Sequence, residues 1–111
     1  MNEEDRTGVA AALAVSRKAL RETISRTKHQ SHRHIAEAYL NFAEAAETRM
    51  LSADDWFDRI DDAGLIRALG ESVKRAQVAG DWVGVVRHSF GMLQALPGEP
   101  GWKPRQLPPP P

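Results

Sequence analysis

VAAALAVSRKALRETISRTKHQSHRHIAEAYLNFAEAAETRMLSADDWFDRIDDA, residues 9 to 63, decides the fold: across 55 residues it holds neither glycine nor proline and is rich in Ala, Glu, Arg and Leu. That is helix composition, with the two strongest helix breakers removed. Apolar or small residues recur every three or four positions at Val9, Leu13, Ser16, Leu20, Ile24 and Thr27, and again at Ile35, Tyr39, Phe42, Ala46 and Met50. Each series marks one buried stripe of an amphipathic helix. Between them Ser25 to His34 carries no apolar residue. A turn near Lys28 to Ser31 is predicted, because two antiparallel helices bury their stripes on each other whereas one long helix would need a partner chain.

The rest of the chain extends this pattern. Ser52, with Asp55 three residues later, has the form of a capping box and predicts a short helix near Asp54 to Asp62 carrying Trp56, Phe57 and Ile60, closed by Gly64. Leu65, Ile66, Leu69, Val73 and Ala76 predict another helix that stops at Gly80, and Asp81 is a good N-cap for a last helix running to about Leu96. The tail from Pro97 onward, PGEPGWKPRQLPPPP, holds all seven prolines and reads as extended chain or polyproline II. The expected fold is therefore all-α: a small bundle of four to five helices in helical hairpins (residues 1–97) with an extended proline-rich tail (98–111). A faint internal repeat, ADDW at 53–56 and AGDW at 79–82, is no more than the acid-then-aromatic pattern common at helix starts.

Composition narrows the function classes. At 111 residues and 12.3 kDa the chain builds one core, and a domain of this size buries roughly 65% of its unfolded surface, too little to enclose a deep substrate pocket. Fifteen basic and fifteen acidic side chains cancel, so no global field draws nucleic acid or an anionic membrane. The absence of cysteine removes disulfides, thiolate metal sites and cysteine nucleophiles together. The start is acidic (Glu3, Glu4, Asp5) and the apolar run Val9 to Val15 is short, which is not a secretory leader; a cytoplasmic location is expected. No phosphate-loop, dinucleotide, metalloprotease or hydrolase-elbow motif is present. The residues read as non-enzymatic, with no cofactor and no metal.

Gly80-Asp81-Trp82, followed by Val85, Val86, Met92, Leu93 and Pro97, resembles the second helix of a tetratricopeptide-type hairpin, and Ala36 to Ala43 (AEAYLNFA) is similar to a first helix of that family. The two pieces are not joined at the family's period, so what the resemblance implies is a helical-hairpin interaction module.

Three constellations stand out. His29, His32 and His34 with Glu37 have metal-ligand chemistry, but no second ligand pair of fixed spacing, so a solvated cationic turn is expected. The acids Asp54, Asp55, Asp58, Asp61 and Asp62 lack the alternating oxygens and glycine of a calcium loop and read as first-turn helix acids. Charge is segregated: Ser16 to His34 carries six bases (Arg17, Lys18, Arg21, Arg26, Lys28, Arg33) against Glu22 alone, while Ile35 to Glu71 carries nine acids against three bases. Either the basic first helix attracts the acidic second, or the bases form a phosphate-contacting strip.

The last helix carries a stripe of small residues, Gly84, His88, Gly91 and Ala95, although each interior glycine costs about 1 kcal/mol relative to alanine. Close approach of another helix would offset that cost, supplied by one of the chain's own first two helices, by a partner or by a second copy. The tail offers Trp102, Leu107 and Pro108 as anchors on a stiff backbone. Two functions remain open: a protein–protein interaction module, as adaptor, small regulator or subunit of a larger assembly, using the stripe and the tail on a protein partner or in self-association; or a small nucleic-acid-associated protein using the basic first helix. No membrane partner is expected.

Overall fold

A computed structural model describes residues 1–98 and 106–111 and shows four α-helices with no strand among them. Helix α1 spans Glu3–Arg26, α2 Gln30–Ser52, α3 Ala63–Val78 and α4 Trp82–Gln94. No helix among the described residues is long and apolar enough to cross a membrane.

Each boundary has a local cause. The Asn2 side chain accepts from the Asp5 amide at 2.7 Å, and Glu3, Glu4 and Asp5 face the positive end of the α1 dipole. The break between α1 and α2 falls at residues 27–29, one position before the expected turn; Thr27 turns extended and Arg33 donates to its carbonyl at 3.0 Å. The expected capping box at Ser52 does not form. Ser52 ends α2 and its hydroxyl donates back to the Thr48 carbonyl at 2.8 Å, which leaves only a 3-10 turn, Phe57–Arg59, where a short helix was predicted. Gly64 does not close a helix but sits in the first turn of α3, which Asp62 caps by accepting from the Leu65 amide at 3.0 Å. Gly80, with φ +69°, ends α3 in a Schellman motif: its own amide donates to Gln77 and the Asp81 amide to Ala76. Asp81 caps α4 as expected, accepting from Gly84 at 2.9 Å.

The helices run up, down, up and down. Ion pairs Arg17–Glu47 and Arg21–Glu44 fix α1 antiparallel to α2, while Arg67–Asp5, Gly70–Ala12 and Gln77–Glu22 show that α3 runs alongside α1 in the same direction. Ser16 and Ser89 share a buried hydrogen bond at 2.9 Å across the centre, satisfying two hydroxyls that would otherwise oppose burial. Around them Val9, Leu13, Leu20, Tyr39, Ile66, Val73, Val85, Met92 and Leu93 form one core. Trp56, in the connection between α2 and α3, is completely buried and meets Phe57 edge to face at 5.2 Å. Both interhelical turns, 27–29 and 79–81, lie at one end of the bundle; the α2–α3 connection lies at the other.

The helix–helix contacts differ in kind. A Cβ on Gly70 would stand 2.6 Å from the Ala12 Cβ and 3.0 Å from its Cα, so the α1–α3 crossing leaves no room for a side chain at residue 70. The Arg67 side chain lies across Gly8 in the same contact. Between α1 and α2 the seam is closed by charge instead.

Candidate functional site

The two glycines of the α4 stripe face α3 inside the molecule. Gly84 is buried, its missing Cβ replaced by the Asp81 carboxylate and by Ala76 of α3 at 3.2 Å, and Gly91 faces Leu69 of α3 at 3.3 Å. The helix that fills this groove is α3, neither of the first two. His88 and Ala95 are half-buried beside them. Trp102 lies outside the described residues. The final segment docks on its own bundle: Leu107 packs against the core, the Tyr39 hydroxyl donates to the Pro108 carbonyl at 2.6 Å, and Arg87 Nε donates to the Pro111 carbonyl at 2.7 Å. Residues 106–111 thus run along the groove between α2 and α4. Tyr39 is stacked on Phe90 at 5.7 Å, and burial pushes its hydroxyl from 10.0 up to about 12.

The basic strip divides. Arg17 and Arg21 pair with Glu47 and Glu44 of α2, and Arg33 is held by Thr27. Lys18, Arg26 and Lys28 remain exposed. Of the histidines, His29 and His32 bring their rings to 4.7 Å, and His34 reaches Glu37 at 3.8 Å. No group of three side chains with metal-ligating atoms converges among the described residues. Two of the acids between α2 and α3 are used locally, Asp62 as a cap and Asp55 against Arg59 at 3.5 Å, and Asp58 pairs with the Met1 amino group at 3.2 Å.

What the sequence reading did not single out is the face between α1 and α3. Directly opposite the strapped α2–α4 groove, a shallow depression of about 410 Å³ runs over Gly8, Ala11, Val15, Gly64 and Ala68. Arg67, whose side chain lies over Gly8, and Glu71 complete its lining. Ala11, Ala14, Gly64 and Ala68 are exposed, as is Leu65 at 46%. The close Gly70–Ala12 crossing makes the middle of this floor from small groups, while the Arg67 side chain crosses its Gly8 end to reach Asp5. The signal was present in Gly70, an interior helix glycine of the same kind as Gly84 and Gly91. A second open cleft, of about 400 Å³, lies at the end holding the two interhelical turns.

No family model matches the chain, nor does any curated protein or solved structure match it.

Proposed function

We propose that this protein is a non-catalytic protein–protein interaction module, an adaptor, small regulator or subunit of a larger assembly, that receives a partner helix on the face between α1 and α3. One observation carries the reading. Of two opposite interhelical grooves, the α2–α4 groove is covered by residues 106–111 of the chain itself, while no described segment covers the α1–α3 groove. Small residues suit a helix there, since they let a second backbone approach to about 8 Å, the short end of interhelical packing distances. Glu71 supplies a polar contact beside the small residues, and Arg67, held by Asp5, bounds the groove at its Gly8 end.

The alternative, a nucleic-acid-associated protein using basic α1, has less support because Arg17 and Arg21 are engaged by Glu47 and Glu44.

The test uses A11R/A68R, which places two long charged side chains on exposed positions of the open face. Its melting temperature should match the wild type, and a defined complex that the wild type forms in its host should be lost. Retention of that complex by the variant overturns the docking face; steeply salt-dependent binding to duplex, retained in A11R/A68R, would favour the nucleic-acid reading.

A further inference from the structure

The way residues 106–111 lie on the bundle shows what the α2–α4 groove recognises. Exposure along the segment repeats every three residues: Gln106 and Pro109 are exposed, while Leu107, Pro108, Pro110 and Pro111 are half-buried. Three residues make one turn of polyproline II, so this is the pattern of such a helix with one edge in water and the others against α2 and α4. The hydrogen bonds obey the same period. The Tyr39 hydroxyl donates to the Pro108 carbonyl and Arg87 Nε to the carbonyl of Pro111, three residues further on.

Both bonds run from the groove to the segment, and that direction selects proline. Residues 108–111 have carbonyl acceptors but no amide hydrogen, so no backbone donor is stranded against the stacked rings of Tyr39 and Phe90. An ordinary extended strand would press amides onto ring carbons, where they lose water without gaining a full partner. Nothing in these contacts requires the ligand to belong to the same chain. The recognised groups are two backbone carbonyls and one aliphatic side chain, Leu107, packed on the core. No residue of the segment is fully buried, so leaving the groove breaks few contacts. What favours the chain's own segment is its tether, which holds it at an effective concentration of about millimolar.

We propose that the α2–α4 groove is a binding site for a proline-rich segment of another protein, of the form aliphatic-Pro-x-x-Pro, and that residues 106–111 occupy it as a tethered competitor. Tyr39 and Arg87 hold two ligand carbonyls one turn apart, and the apolar surface of Tyr39 and Phe90 suits proline rings. The site lies opposite the face between α1 and α3, and peptide binding here and partner docking there can fail separately.

The experiment titrates the peptide Gln-Leu-Pro-Pro-Pro-Pro, blocked at both ends, into the ¹⁵N-labelled full chain carrying Leu107→Glu, which sets a carboxylate against the core and releases the segment without altering a helix. Saturable shifts are expected at Arg87 Nε and at the amides around Tyr39 and Phe90, and the wild type should bind the peptide at least about tenfold more weakly because its own segment competes. P108G/P111G, which loosens the segment through backbone entropy, should free the groove in the same way and serves if L107E misfolds. Adding Arg87→Ala, at an exposed position, to the released chain should weaken peptide binding by about threefold to tenfold, the loss of one hydrogen bond, with an unchanged melting temperature. No saturable shift in either released variant, equal affinity in released and wild-type chains, or equal binding of Gln-Leu-Ala-Ala-Ala-Ala would overturn the proposal. So would a wild-type dimer at the same concentrations, which would put the segment of a second copy in the groove.

Discussion

The two opposite long faces of the bundle solve the same geometric problem differently. Where α2 meets α4, large side chains line the groove: Tyr39 and Phe90 stack, and the proline-rich segment lies over them, held through the Tyr39 hydroxyl and Arg87. Where α1 meets α3, Gly70 sits on Ala12, the floor is Gly and Ala, and the groove is left open. The difference shows how residue size sets what a groove accepts. Aromatic walls with a carbonyl-seeking hydroxyl take an extended chain that has few amide donors of its own. A floor of small residues takes a helix.

The open face depends on the closeness of the α1–α3 crossing, so the largest effect is expected from Gly70→Ala. Its Cβ would meet Ala backbone rather than a movable side-chain end, and overpacking of this kind costs about 1–3 kcal/mol. Gly91→Ala is the control. Its Cβ would meet only the end of Leu69 at 3.3 Å, and the gain in helix propensity is about 1 kcal/mol. Thermal melts should separate the two variants in sign; equal effects would mean that the α1–α3 crossing is no tighter than the α3–α4 contact.

The covered face is weakened next by Tyr39→Phe, which removes the bond to Pro108 and should cost about 0.5–1.5 kcal/mol. The pH dependence has a definite sign. Because burial raises the Tyr39 hydroxyl from 10.0 to about 12, its contribution is complete below pH 10 and is lost as pH rises from there to about 12. The stability difference between wild type and Tyr39→Phe should therefore shrink across that window, and a constant difference would contradict the buried phenol.

The smallest effect belongs to the seam joining the two faces. Arg21–Glu44 is about half-exposed on both sides, so breaking it should cost about 0.2–1 kcal/mol and the loss should fade in high salt. A cost that survives 1 M salt would show that the pair does more than screen charge.

The helices were legible in the sequence wherever a boundary residue acts on its own neighbours. Asp81 capping Gly84 and Gly80 turning left-handed depend only on residues a few positions away. The stretch from Ser52 to Gly64 departs from the sequence reading because the hydroxyl taken for a cap has another partner: Ser52 bonds backward to the Thr48 carbonyl, and Asp62 takes the cap ten residues later. Segregated charge pointed correctly to the α1–α2 seam, since Arg17 and Arg21 found Glu47 and Glu44. Of the open face only Gly70, an interior helix glycine, was legible. The floor joins Ala11 and Val15 to Gly64 and Ala68, and alanines carry no sign of which helix they will meet. The glycine stripe on α4 illustrates the same limit: its spacing announced a close contact, but the α3 residues that fill it, Leu69 and Ala76, were already spoken for as core in the sequence pattern.

Hydrogen exchange of the chain alone and in the proposed complex tests the central claim most directly, because it reads every face at once. The account predicts added protection in residues 4–18 of α1 and 64–75 of α3, with residues 36–43 of α2 and the segment 106–111 unchanged. Protection confined to α2, α4 and the proline-rich segment, with the α1–α3 face exchanging as in the free protein, would contradict it.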